Sequence, residues 1–172
     1  PDPSLKMAVD LFEYCGQHVP RWNFINICGY HVREAGSSLV QELAFAFGNA
    51  QAYLDEAISR GMDIDDFAPR IAFNFSVFNN VLEEVAKFRA ARRMWARMVK
   101  ERYGAKNPRS MTFRTGAGSG GSTLVAQQPE NNVVRVTLHT VIAAMAGVQS
   151  MHTASMDEAH ALPSEEAATL AL

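Results

Sequence analysis

Four short apolar runs, at residues 24–28, 71–77, 111–114 and 148–151, recur along the 172-residue chain with long helical stretches between them. Val81, Val85, Phe88, Trp95 and Val99 repeat at helical spacing, and Gly104 ends that helix. Residues 36–60 read as a helix closed by Gly61, and residues 124–146 as another closed before Gly147. Residues 4–15 predict a helix of a preceding unit, and a last helix begins after Pro163. Strand and helix alternating at roughly 40-residue intervals is the pattern of parallel βα units. The fold class is therefore α/β. A closed barrel typically takes about 250 residues, so the expected architecture is a partial (β/α)8 TIM barrel, about four βα units of a longer barrel. A small open α/β domain is the other arrangement this order allows.

The predicted strands alternate instead of running continuously apolar. Phe73, Phe75 and Val77 share one face of the second run, and Ala72, Asn74 and Ser76 the other. Ile25 and Ile27 oppose Asn26 and Cys28; Met111 and Phe113 oppose Ser110, Thr112 and Arg114; Ser150 and His152 share one face of the last run. With the large residues turned to the helices, the inner face is small and polar, and the barrel is hollow enough to admit a ligand. Ordinary barrel interiors are filled with Val, Ile and Leu. An antiparallel sheet wetted on one side would show the same alternation, but the long helical stretches favour parallel crossovers.

Sixteen basic and eighteen acidic residues leave a net charge of -2, so no global field points to nucleic acid or an anionic membrane. No apolar stretch approaches the roughly 20 residues of a membrane span. The first residues show no basic and apolar leader pattern. Cys15 and Cys28 form neither a C-x-x-C nor a metal spacing and are expected to be reduced thiols. These features predict a cytoplasmic protein.

In such barrels the chemistry sits in the loops after the strands. The first run leads into Gly29, Tyr30 and His31, with Arg33 and Glu34 behind; the fourth leads into His152 and Thr153, then Asp157 and Glu158. Two strand-end histidines suit carbonyl polarisation or proton transfer. His31, Glu34, His152 and Glu158 would alternatively supply metal ligands on one rim. The third run leads into RTGAGSGGSTL at residues 114–124, which contains G-x-G-x-x-G at Gly116, Gly118 and Gly121. A dinucleotide fingerprint needs an acidic residue about 20 positions on; Glu130 is too early and Asp157 too late. No Gly-Lys-Ser/Thr follows, so a P-loop fails too. Clustered glycines do indicate that something bulky approaches the backbone there. The basic stretch KFRAARRMWARMVKER at residues 87–102 reads as a solvated outer face.

RWNFINICGYHVREAG, VQELAFAFGNAQAYLDEAISRGMDIDDFAPR, AKFRAARRMWARMVKERYGAKNPRSM and QQPENNVVRVTLHTVIAAMAGVQSMHTASMDEAHALP resemble the large-subunit barrel of the methylmalonyl-CoA mutase family over nearly the whole chain. The resemblance implies an isomerase that rearranges acyl-CoA skeletons by radical chemistry with adenosylcobalamin. It implies a barrel threaded by the pantetheine arm of CoA, with residues 1–172 a segment of that catalytic domain. Gly29, Tyr30 and His31 match the family's Gly-Tyr-His, which implies catalytic roles for Tyr30 and His31, with His31 against the thioester carbonyl. Ala68, Pro69 and Arg70 match Ala-Pro-Arg, which implies an Arg70 contact to the CoA thioester. Ala72 stands where a substrate-contacting serine is common. Gly121, Glu158 and Ala161 match cobalamin contacts.

The family's Arg-Thr-His-x-Gln-Thr-Ser-Gly is here Arg114 to Gly121, with Gly116 and Gly118 replacing the histidine and glutamine, and Ala154 replaces an asparagine. The resemblance thus implies a remodelled rim, with more space or another substrate. QQPENN resembles the branch acting on isobutyryl-CoA or 2-hydroxyisobutyryl-CoA. Asp157 and His160 are one position too far apart for the Asp-x-His-x-x-Gly motif that supplies the lower cobalt ligand. The cobalt ligand is therefore expected from another domain or a small subunit, and association into an oligomer is expected. Two other readings remain: a non-catalytic barrel relative serving as a partner chain, and an unrelated metal hydrolase barrel.

Overall fold

The structure, a computed structural model, describes residues 2–172. Strands β1 (Ile25–Cys28), β2 (Ile71–Val77), β3 (Thr115–Ser119) and β4 (Ser150–His152) form one sheet in consecutive order, every neighbouring pair parallel. Parallel neighbours need crossovers, and α3 (Leu39–Ser59), α5 (Val81–Arg97) and α6 (Pro129–Ala146) make them. α1 (Asp2–His18) packs on α3, and α7 (Glu165–Ala171) follows β4. Two short helices, α2 (Tyr30–Glu34) and α4 (Ile64–Phe67), complete the set. This is the wall of an incomplete barrel, as the residue pattern predicts, and the antiparallel alternative is excluded.

The core lies between the sheet and its helices. Phe73, Phe75 and Val77 are buried on that face, with Phe73 4.7 Å from Phe113 and 5.0 Å from Trp95 between ring centroids. Burial of side chains this large stabilises by about 1.5–3 kcal/mol each. On the opposite face Asn26 and Ser150 are exposed and Cys28, Ala72, Asn74 and Gly116 half-buried, so the inner wall is small and polar as expected. Ser76 differs, being fully buried through the contacts of its hydroxyl and backbone described below.

The third strand lies one step beyond the predicted 111–114. Residues 108–111 form a turn, Phe113 drops into the aromatic core, and pairing begins at Thr115. The first part of the glycine segment, with Gly116 and Gly118, is therefore the strand itself, and only Gly120 and Gly121 fall in the loop after it. Two helices also start late. Ser38 caps α3, its hydroxyl accepting from the Gln41 N–H at 3.2 Å while the Gln41 side chain accepts from the Ser38 N–H at 2.8 Å, so residues 36–38 stay outside. Pro129 opens α6; Leu124 and Val125 belong to the preceding loop, where the Asn132 carboxamide bonds both the N–H and the C=O of Val125. Gly147, at φ 65°, closes α6 in the left-handed conformation.

Lys87 departs most from the solvated-face expectation, because its side chain has no exposure at all. Arg92 likewise turns inward to the Ala146 and Gly147 carbonyls, whereas Arg97 and Arg102 make the exposed pairs expected of that helix.

His139 of α6 is also fully buried, its Nε2 2.8 Å from Asn79 Oδ1. Burial holds it below the ordinary histidine value of 6.5, against the opposing pull of Glu84. The unfolded chain therefore takes up a proton at a higher pH than the folded one does. The resulting stability is complete above that ordinary value and is lost as pH falls below it. Urea unfolding at about pH 7 and about pH 5 should show a stability loss that His139→Gln, which keeps a donor to Asn79, lacks.

Candidate functional site

The C-terminal ends of the strands gather Tyr30, His31, Glu34, Gly121 and Glu158. β1 ends at Cys28, and the Gly29 N–H donates to the Asn74 carbonyl at 2.9 Å before the chain turns into α2. Only glycine fits at 29, since a Cβ there would lie 2.8 Å from the Phe75 ring and 3.0 Å from Glu42 Cγ. Tyr30 then swings across β3. Its ring covers Gly118, where a Cβ would come within 3.0 Å, and its hydroxyl donates to the Ser119 carbonyl at 3.0 Å. Burial pushes the Tyr30 phenol up to about 12, and the Glu34 and Glu158 carboxylates push in the same direction. Tyr30 is therefore a neutral hydrogen-bond donor at any physiological pH.

Glu34, one helical turn on, clamps the segment after β3: its carboxylate accepts the Gly121 N–H at 2.6 Å and the Ser122 N–H at 3.0 Å. Glu158 reaches the same place from the loop after β4, its Oε1 3.2 Å from where a Gly121 Cβ would stand. Ala161, three residues after Glu158, is exposed. His31 is exposed on α2 and meets the Tyr30 ring edge-on, 5.9 Å between centroids.

The glycines of β3 are covered by neighbours, which accounts for the close approach read from their clustering. A Cβ at Gly116 would stand 2.8 Å from Ser150 Oγ and 3.1 Å from Asn74 Oδ1, and one at Gly120, just past the strand, would collide with the Phe78 ring. The space that smaller residues would open is thus occupied. Ala154 is buried.

Arg70 and Ala72 do not join this cluster. They stand at the start of β2, at the opposite end of the sheet, where Arg70 lines a cleft of ≈ 740 Å³ with Trp22, Phe24, Pro69 and Arg109. The proposed rim of metal ligands does not assemble either: among the described residues no three His, Cys, Asp or Glu side chains come together to hold an ion. Glu34 is engaged by backbone N–H groups, and His152 stands exposed at the end of β4. Asp157 accepts the Ser164 N–H at 2.9 Å, which holds its carboxyl below the usual range, and His160 is bonded to the Ala126 carbonyl at 2.5 Å. Both belong to the fold. Among the described residues no helix is long and apolar enough to cross a membrane.

The methylmalonyl-CoA mutase family model matches residues 1–172, and the chain belongs to that family. It is 46% identical over 170 residues to the 2-hydroxyisobutanoyl-CoA mutase large subunit of Aquincola tertiaricarbonis, covering 99% of this chain and 30% of that protein. It is 43% identical over 171 residues to the methylmalonyl-CoA mutase of Cereibacter sphaeroides, and 39% identical over 171 residues to the mitochondrial enzyme of Homo sapiens. Those matches take in 99% of this chain and 24% and 23% of the relatives. The chain thus spans between about a quarter and a third of the length of these relatives.

Proposed function

We propose that this chain is the segment of an adenosylcobalamin-dependent acyl-CoA mutase that carries one wall of the substrate channel, an isomerase acting on a branched acyl-CoA. The observation that carries the reading is the placement of the two sets of residues. Arg70 and Arg109 stand at one end of a small, polar inner wall, and Tyr30 and His31 at the other. A seven-residue strand separates them by roughly 23 Å. That span suits a long thioester with an anionic nucleotide at one end and an acyl group at the other.

Adenosylcobalamin, when bound, supplies the initiating radical by homolysis of its cobalt–carbon bond. The residues present fit a flat cofactor face at the rim: Gly121 is part-exposed and has no side chain where a Cβ would crowd Glu158, and Glu158 and Ala161 are exposed. Tyr30 and His31 do the local work. Tyr30 closes the wall over Gly118 and presents a neutral phenol, which keeps water from the glycine backbone. His31 directs its imidazole toward the thioester carbonyl and stabilises charge that develops on it. Arg70 holds the far portion of the CoA thioester, and Ala72 leaves the wall beside it smooth. The cobalt ligand comes from a separate cobalamin domain or small subunit. The name of the Aquincola relative supports 2-hydroxyisobutanoyl-CoA as substrate, the QQPENN resemblance adds isobutyryl-CoA, and the names of the other relatives support methylmalonyl-CoA.

The full-length subunit, with adenosylcobalamin and its cobalamin-binding partner, should lose cobalt–carbon absorbance on addition of one of these three thioesters and convert it to its isomer. Spectral silence with all three would favour the non-catalytic partner chain.

A further inference from the structure

We propose that the buried chain of ions Glu42, Lys87, Glu84 and Arg33 is a positioning device that fixes α2, and with it Tyr30 and His31, against the end of β3. Only its kinetic readout rests on the acyl-CoA mutase reading above.

α2 needs such a device. It is five residues long with no buried residue, and a helix so short has no stability of its own. Its orientation must come from what grips it. On the inner side Tyr30 and Glu34 bind β3 and the segment after it. On the outer side the grip is Arg33, whose guanidinium lies 3.5 Å from Glu84, donates to the Ser37 carbonyl at 2.5 Å, and sits 4.2 Å over the Phe78 ring that covers Gly120.

The strand ends explain why Glu84 is there to be gripped. Alternate residues of β2 turn their backbone groups toward β1, and Asn74 is bonded by Gly29. Ser76 is the next residue on that side, but the chain of β1 has already turned into α2. Side chains take the place of the missing strand. Glu42 accepts the Ser76 N–H at 2.9 Å and its hydroxyl at 3.0 Å, and the Lys87 ammonium donates to the Ser76 carbonyl at 2.6 Å. The same ammonium pairs with Glu42 at 2.9 Å and Glu84 at 2.6 Å, and all three side chains are wholly excluded from solvent. Two carboxylates thus meet two cations in a continuous path from the body of the sheet to α2. A dry ion cluster is seldom a more stable filling than apolar side chains. Its use here is geometric: it fixes the angle of a helix that cannot fix itself.

The test uses Glu84→Gln and Arg33→Met, which cut the link to α2 while leaving the Glu42–Lys87 pair intact, in the full-length subunit with its cobalamin partner. Amide exchange should rise about tenfold over residues 29–37 and stay unchanged over α3 and α5. In turnover, kcat should fall about tenfold or more with KM for the acyl-CoA within about twofold, because misplacement of α2 misplaces His31. The double variant should be no worse than Arg33→Met alone, since that variant already cuts the link Glu84→Gln removes. Unchanged exchange at 29–37 in a folded variant, or an equal rise across α3 and α5, would overturn the proposal. So would local exchange with undiminished kcat. Local exchange in a subunit whose wild type turns over none of the thioesters supports the grip on α2 and removes the mutase reading instead.

Discussion

Replacing Lys87 with methionine should remove about 3–5 kcal/mol from the unfolding free energy of the barrel domain. Methionine matches the lysine stem in length and fills the same volume. What it removes is the ammonium between two fully buried carboxylates, Glu42 and Glu84, and the donor to the Ser76 carbonyl. Uncompensated charge in a dry site is among the few mechanisms that cost this much. A domain stable by about 5–15 kcal/mol would lose a large part of its margin. Urea titration of the full subunit measures the effect, with Arg97→Ala as the control. The Arg97–Glu101 pair is more than half exposed on both sides, and its loss should be small. A Lys87→Met change no larger than the control would mean that water reaches the cluster.

Replacing His31 with alanine should lower kcat by about 10²–10³-fold, the size of effect seen when a donor to a developing oxyanion is removed. KM for the thioester should move by less than about threefold. The imidazole makes no hydrogen bond within the fold among the described residues, and its one aromatic contact is the edge of Tyr30. Its loss should therefore leave thermal stability unchanged, which separates a chemical role from a structural one. A raised KM with kcat unchanged would place His31 in substrate recognition only.

Where side chains carry a period, the residues foretell the fold well. Phe73, Phe75 and Val77 announce β2 with its buried and open faces, and the same logic places Asn26 and Ser150 inward. β3 is illegible for a physical reason. Glycine contributes no side chain to a pattern and is a poor strand former, while Met111 and Phe113 just upstream imitate one. Phe113 is apolar because it enters the aromatic core, not because its backbone pairs. The rim is partly legible: Tyr30, His31 and Glu158 are placed by loop order, and the structure brings Tyr30 and Glu158 to Gly121. The clamp of Glu34 on two backbone N–H groups is not, since nothing in the pattern distinguishes it from an ordinary helix-surface acid. Lys87 is the plainest case. In a stretch with so many basic neighbours it reads as solvated, and only the early end of β1, a tertiary fact, creates the need that buries it.

The covering of β3 has a consequence for how this wall can change in evolution. A strand face without side chains borrows its surface: Tyr30 furnishes it over Gly118, Asn74 with Ser150 beside Gly116, and Phe78 over Gly120 just past the strand. The shape presented by the inner face of β3 is thus written in codons that lie far from β3 in the gene. A larger residue at 118 is admissible only where the ring of residue 30 lies aside, and a smaller residue at 30 or 78 opens a hole that glycine cannot fill. A lineage that exchanges these glycines for larger residues must therefore re-aim the covering side chain, even where that residue keeps its identity.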